Sequence, residues 1–480
     1  MAQCSYPVNY THFRIALPEE FSYKVNQTGG GNLVGNRDEE ANTVLGTKDV
    51  IHDFTGTNLA ALPKDNEYIF CPIDFADKVT SELRGINIPG QLYKDYTTTQ
   101  ADVIKLLMDS DMFGGRLKQK NPYKDEMAAA GIASLPTAME KVVASAKLLK
   151  SHLRWNKEYS LMGESQSKVT KEGTGDNADL NFILMSMLKD AGVETSTVLM
   201  SRRSRGRLPY QPSIDALNTF VVAFADESGA LHFYDASAEN GYVDALSVDL
   251  NVDRAILVNP SSGHFNEISL QDNIKRREQV AIKGTLSTDG VITATCSRYY
   301  RENNALRFRN SWEEKNDSAA FVAEIAADEN IEISEYSTQG REDFSPSAVE
   351  EFTFTKQLEG GDKYYLAPLL LSAFEKSPFP AETSEMPVEF GAKGNVSISI
   401  NIQLPEGYHV EEAPKPLSMQ LPDGGLSVKM MAGENDGIIN ANCRLTTNQL
   451  FFAKDSYALV KQFYDELAKK CNEMLVISKQ

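Results

Sequence analysis

Hydrophobic residues along this chain follow three successive spacings. Up to about residue 105 they come as short runs, FRIALP (13–18) and YIFCPIDF (68–75), divided by turn-rich stretches such as NQTGGGNLVGNRDEE. Short apolar runs punctuated by Gly, Asn, Asp and Pro predict strands of an all-β layer. Too few strands are evident for a complete sandwich, so residues 1–105 are expected to be part of one. From 106 the spacing becomes helical. In PTAMEKVVASAKLLKSHLRW, the residues Met139, Val142, Val143, Ala146, Leu149 and Leu153 share one stripe. After a Gly-rich turn, Leu180, Ile183, Leu184, Met187, Leu188 and Ala191 form a second stripe, predicting an amphipathic helix closed by Gly192. Strand patterns TSTVLMS, LNTFVVAFA and ALHFYDAS follow, the last two joined by the turn DESG. Helices followed by an antiparallel sheet make 106–262 an α+β core.

Residues 263–480 return to strand spacing. KGTLSTDGVITATC reads as a hairpin, and GNVSISINIQL alternates strictly, with Val396, Ile398, Ile400, Ile402 and Leu404 on one face. Repeated strands and turns such as LPDGG predict a β-sandwich region, closed by a helix near Ser456–Met474 that buries Leu459, Val460, Phe463, Leu467 and Cys471. The expected fold class is thus multidomain α+β, a core flanked by β-sandwich regions.

Composition narrows the function. A net charge of −19 repels phosphate backbones and argues against nucleic-acid binding. The exception is SRRSRGR, with Arg202, Arg203, Arg205 and Arg207, read as a solvated loop or as a small contact for an anion or acidic glycan. No apolar run approaches the ~18–20 residues of a membrane helix. The start, MAQCSYPVNYTHF, lacks the basic and apolar regions of a secretory signal. Cys4, Cys71, Cys296, Cys443 and Cys471 are odd in number and form no C-x-x-C pair, so neither zinc nor a disulfide framework is expected. Cys443 shares a strand face with Ile439, Ala441 and Leu445 and reads as a core thiol.

The most informative stretch is GTGDNADLNFILMSMLKDAG (173–192). Its order LRWN, GDNADLNFILMSMLKDAGV, VLMSRRSRG, ALNTFVVAF, FYDAS resembles the transglutaminase-like (papain-like) domain of large bacterial, Bacteroidetes-type proteins that carry DUF3857 and DUF3858 modules around it. The resemblance covers most of the chain. It implies a DUF3857-like partial sandwich over 1–105, a transglutaminase-like core over 106–262 and a DUF3858-like region over 263–480. In active members a Cys opens the helix, a His on a following strand takes its proton and an Asp on the next strand orients that His. Gly-Asp-Cys is here Gly175-Asp176-Asn177, Phe-Asn-His is Leu217-Asn218-Thr219, and the Asp is kept as Asp235. The pattern is closer to a branch reading Gly-Asn-x-Ala-Glu-Ile-Asn, which also lacks the Cys.

Nothing nearby substitutes for the lost groups. No Cys lies between Cys71 and Cys296, and His232 is an odd number of strand positions from Asp235. His152 belongs to the preceding helix, and Thr219 is no general base near neutrality. Asp176 with Asp179 three residues on reads as an acidic capping box, which folds the helix without any ligand. Asn177 is either part of that fold or faces a ligand in the old cleft. Trp155 either supports the helix pair or lines a groove. The tentative binding set is therefore Trp155, Asp176, Asn177, Thr219 and Asp235, with no cofactor and no metal expected. The resulting expectation is a pseudoenzyme that binds a peptide or glycan in the vestigial cleft or on the flanking sandwiches. The resemblance implies a periplasmic or cell-envelope location. Two alternatives stand beside it: a structural or assembly scaffold that docks protein partners, and a hydrolase that uses the core carboxylates.

Overall fold

The computed structural model describes all residues except 1, 43–46, 64–67, 89, 97, 316, 342–344 and 480. Near the start, β1 (Val8–Pro18), β2 (Phe21–Thr28), β3 (Leu33–Asn42), β4 (Thr47–Leu59), β5 (Lys78–Ile88) and β6 (Leu92–Asp95) form two antiparallel three-stranded sheets. Their orders are β1-β4-β3 and β2-β5-β6. The GGG turn has a steric reason. Gly29 has φ +119, and a Cβ there would lie 2.4 Å from the Ala76 carbonyl. Buried Asp77 then accepts from the Gly31 and Asn32 amides and from Asn32 Nδ2, at 3.0, 3.2 and 2.7 Å.

Helices begin at Gln100. They are α1 (Gln100–Asp109), α2 (Gly114–Leu117), α3 (Lys124–Ala129), α4 (Ala138–His152), α5 (Gln166–Glu172) and α6 (Asn177–Asp190). The short parallel pair β7 (Arg154–Trp155) and β8 (Thr174–Gly175) precedes α6. The strands β9 (Thr195–Met200), β10 (Thr219–Ala225), β11 (Leu231–Tyr234), β12 (Ala255–Val258) and β13 (Phe265–Ile268) form an antiparallel sheet in the order β11-β10-β9-β12-β13. A capping box of Thr137 and Glu140 starts α4. A Schellman turn ends α6, with Val193 N–H on Leu188 O and Gly192 N–H on Lys189 O. The expected amphipathic character of α6 is corrected, because every residue from Asn177 to Leu188 is buried. Helices α2, α3, α4 and α5 cover the faces that the sheet leaves open.

The last region is built on one curved sheet. Its strands are β14 (Lys275–Leu286), β15 (Val291–Glu302), β16 (Glu332–Gln339), β17 (Ser347–Gln357), β18 (Lys363–Leu366), β19 (Val388–Glu389), β20 (Lys393–Gln403), β21 (Tyr408–Glu412), β22 (Leu417–Gln420), β23 (Leu426–Asn435), β24 (Ile438–Thr447), β25 (Phe451–Phe452) and β26 (Leu475–Lys479). Eight of them run in the order β16-β17-β15-β14-β20-β24-β23-β22, antiparallel except for the β14/β20 pair. Ile398, Ile400, Ile402 and Leu404 point inward as the alternation predicts, and Cys443 is buried among them.

The sandwich expectation needs correcting in its second layer, which is a three-stranded sheet β18-β26-β21 together with a helix (Tyr457–Cys471). That helix buries Val460, Phe463, Leu467 and Cys471, but Leu459 is 46% exposed and faces away. Two further helices, α7 (Asn303–Lys315) and α8 (Ser318–Glu329), interrupt the strands where no helix is expected from sequence, so the closing helix is α9. Helix α7 buries Ala305, Leu306 and Phe308 and is also tied down by Arg309. Its fully buried guanidinium donates to the carbonyls of Gly340, Ser345 and Ser347 at 2.6–3.0 Å.

Candidate functional site

The site is assembled at the N-terminus of α6. Gly173, at φ +68, ends α5, and β8 then passes beside Trp155. Gly175 is needed for close approach, because a Cβ there would meet the Asp179 Cβ at 2.9 Å. Asp176 Oδ1 accepts the Asp179 amide at 2.9 Å, and Asp179 Oδ2 accepts the Asp176 amide at 3.3 Å, completing the expected capping box. Asp179 does more than cap. Its Oδ1 accepts from Arg116 Nη2 at 3.2 Å and from the Glu164 amide at 2.8 Å, and both side chains of the ion pair are almost wholly buried. Burial raises the Asp179 carboxyl and lowers the Arg116 guanidinium despite their mutual attraction, and it lifts Asp176 to about 7.

The three positions nominated by the resemblance converge beneath this cap. Asn177 Nδ2 donates to Thr219 Oγ1 at 2.6 Å and more weakly to the Phe220 carbonyl at 3.4 Å. Its Oδ1 accepts the Ser160 amide at 2.6 Å. One turn on, Asn181 donates to the same Phe220 carbonyl at 2.9 Å and to Asp235 Oδ1 at 3.4 Å, and it accepts the Ala236 amide at 2.8 Å. Ser237 closes the chain, its amide and hydroxyl donating to Asp235 Oδ1 at 3.1 and 2.7 Å. Burial pushes the Asp235 carboxyl up and brings the neighbouring Lys150 ammonium down to about 7. Lys150 donates to the carbonyls of Ala238 and Glu239. Ser160 and Asn181 were missed from sequence. The only available signal is that Asn181 repeats Asn177 at a spacing of four, on the same helix face.

Asn177, Thr219 and Asp235 are 0%, 0% and 2% exposed. All three are buried, and the Asn177 amide and Asp235 Oδ1 are engaged by protein partners. Trp155 remains half-buried at the rim. Its Nε1 donates to the Glu158 carbonyl at 2.8 Å, and its ring meets Tyr159 edge-on at 5.1 Å. The histidines are engaged elsewhere. His232 lies between Asp244 at 2.7 Å and Asp226 at 3.2 Å, while His152 pairs with Glu126 and stacks on Tyr123. Among the described residues, no group of three or more His, Cys, Asp or Glu is disposed to hold a metal ion, and no helix is long and apolar enough to cross a membrane.

The arginine run is also corrected from a solvated loop to a junction between regions. Arg202 pairs with Asp249 at 3.1 Å and lies over the Tyr159 ring. Arg203 donates to the Phe390 carbonyl at 3.0 Å and covers Phe70. Arg207 pairs with Glu389 at 3.2 Å, and its amide donates to Asp74. Arg202, Arg203 and Arg207 thus face the protein's own carboxylates, while Arg205 is exposed.

Comparison with known proteins bears on the last region and on the fold. Residues 362–477 match the model of DUF3858, a domain of unknown function with a solved structure. No curated protein matches the chain. A solved structure of a proposed protease from Parabacteroides distasonis is similar over 99% of this chain and 74% of its own, at 13% identity and TM-score 0.54. A proposed cysteine protease from Cytophaga hutchinsonii aligns over 49% of this chain and 73% of its own, at 14% identity, but its TM-score of 0.15 carries no argument. At these identities the likeness is one of fold alone: a multidomain α+β chain with a DUF3858 match in its C-terminal region.

Proposed function

We propose that this chain is a catalytically silent, transglutaminase-like protein of the bacterial DUF3857/DUF3858 group that serves as a cell-envelope binding module for a peptide or glycan. The observation that supports the reading is the buried 2.6 Å hydrogen bond from Asn177 to Thr219, the two positions that the resemblance matches to the thiol and imidazole of active members. An amide and a hydroxyl so paired offer neither a nucleophile nor a base near neutral pH. The carboxylates are likewise committed, Asp176 and Asp179 to the cap and to Arg116, and Asp235 to Ser237 and Asn181. This weighs against a hydrolase built on them.

Since Asn177, Thr219 and Asp235 are buried, the reading puts the ligand site outside them. A thermal-shift screen against envelope-derived peptides and glycans tests this. A ligand at about 100 times its dissociation constant stabilises by roughly 2.7 kcal/mol, and that shift is expected to survive Trp155→Ala. Hydrolysis of an ester, peptide or glycoside that disappears with Asp176→Asn or Asp235→Asn would refute the reading.

A further inference from the structure

The eight-stranded sheet turns one face to the core and leaves the other open. On the open face the strand register brings six side chains into a single row: Ser418 opposite Lys429, Lys429 opposite Arg444, Arg444 opposite Ser397, Ser397 opposite Gln279, and Gln279 opposite Tyr299. All six line one cavity of approximately 580 Å³, within the ~300–1,000 Å³ of small-molecule sites. Their sequence neighbours Val280, Ile398, Met430 and Cys443 are buried on the inner face, so the row owes its direction to the pleat.

Two cations sit side by side in this row without compensation. Like charges directly opposite on paired strands are destabilising. Among the described residues neither Lys429 nor Arg444 has a carboxylate within ion-pair distance, although the chain carries 67 acidic residues against 48 basic ones. Both are solvent-exposed on this face, and an anion laid between them would offset a repulsion that no protein group offsets. The pair calls for a negative group. The rest of the row supplies hydroxyl, amide and phenol groups at about 4.8 Å intervals, roughly 24 Å from end to end. Tyr299, 41% exposed, offers a ring at the far end, and Asn442 and Ser399 add polar groups in the adjacent row. A peptide is the poorer fit. Sheets bind extended peptides at edges, where backbone groups are unpaired, whereas Lys429 and Arg444 lie on β23 and β24, both paired on either side.

We propose that this face binds an anionic oligosaccharide laid across the strands, with a carboxylate-bearing sugar held between Lys429 and Arg444 and a further sugar ring packed on Tyr299. The assignment rests on the binding-module reading and names its site and ligand class.

Calorimetric titration of the full chain at low ionic strength tests it, using a tetragalacturonate, sialylated and glucuronate-containing oligosaccharides, neutral cellotetraose and hexaglutamate. At least one of the acidic sugars is expected to bind more tightly than cellotetraose and hexaglutamate. Lys429→Gln with Arg444→Gln should weaken that binding at least tenfold, and Tyr299→Ala should weaken it while leaving the salt dependence intact. Equal affinity in the double variant, tighter binding of hexaglutamate, or no binding of any acidic sugar would each overturn the proposal. A peptide or neutral glycan that binds independently of these residues removes this site and leaves the binding-module reading standing. Turnover of a bound acidic sugar removes the binding-module reading and leaves the site.

Discussion

If Asn177 and Thr219 are held by folding rather than by function, breaking their hydrogen bond should be costly and their effects strongly coupled. Asn177→Ala deprives the fully buried Thr219 hydroxyl of its 2.6 Å donor and the half-buried Ser160 amide of its 2.6 Å acceptor. The Phe220 carbonyl keeps Asn181 and is spared. The buried hydroxyl left unsatisfied gives a loss of about 1–3 kcal/mol, and the half-buried Ser160 amide adds less because water can replace its acceptor. Thr219→Val keeps the shape and strands only one Asn177 N–H, for about 1–2 kcal/mol. In the double variant that N–H and the hydroxyl vanish together, so both penalties disappear and the cycle should return a coupling of about 2–5 kcal/mol. The chain has two tryptophans, Trp155 and Trp312. In a Trp312→Phe background urea unfolding would be read by Trp155 alone, whose Nε1 shares the Glu158 carbonyl with the Asn177 amide. A coupling near zero, or an Asn177→Ala protein as stable as its parent, would refute the reasoning and mark the position as one kept for function.

Other outcomes follow from the same geometry. Lys429→Glu places opposite charges across from Arg444 and should stabilise by about 0.2–1 kcal/mol, a gain visible by calorimetry in 50 mM salt and reduced in 0.5 M. Asp176 has its folded-state pKa raised to about 7 by burial, so the native state binds more protons than the unfolded one between roughly pH 4 and 7. Stability should therefore fall as pH rises through that window, and Asp176→Asn, which keeps an acceptor for the cap, should flatten the fall when urea midpoints at pH 5 and 8 are compared. Restoring Asn177→Cys with Thr219→His should not yield efficient transamidation, because Ser160 and Asn181 are placed for an amide and a triad needs its support set to about half an ångström. Rapid turnover of an amine-donor assay by that variant would show the site to be more intact than argued.

The parts legible in the sequence are those fixed by local rules. The cap of α6 can be read because Asp176 and Asp179 stand three apart before an apolar run, and the face of β20 because its period is two. The packing around α6 could not be read, since its second apolar face, Ala178, Phe182 and Met185, is covered by helices distant in sequence. Helices α7 and α8 also escaped notice. Their short apolar stripes, Ala305, Leu306, Phe308 and Trp312 in one and Phe321, Val322, Ile325 and Ala326 in the other, are interrupted by polar residues and lie between strand-forming stretches. The arginine run looked solvated because its partners Asp74, Asp249 and Glu389 lie up to 182 residues away. The Lys429–Arg444 row is invisible for the same reason, as it exists only once the register of β23 and β24 is known. Among the candidate residues, sequence named Asn177, Thr219 and Asp235, but only the structure shows that they are buried and that Asn181, bonded to Asp235, shares the Phe220 carbonyl with Asn177.

On the proposed reading, the α+β core holds no reactive nucleophile. Intact-mass analysis after treatment with an epoxide directed at cysteine hydrolases and a fluorophosphonate directed at serine hydrolases tests it most directly. Cys4 is exposed, whereas Cys71, Cys296, Cys443 and Cys471 are buried, and burial holds the last three thiols up near 12. The expected result is at most one adduct, on Cys4, abolished by Cys4→Ser. A stoichiometric adduct mapped to any residue between Ala138 and Ser237 would contradict it.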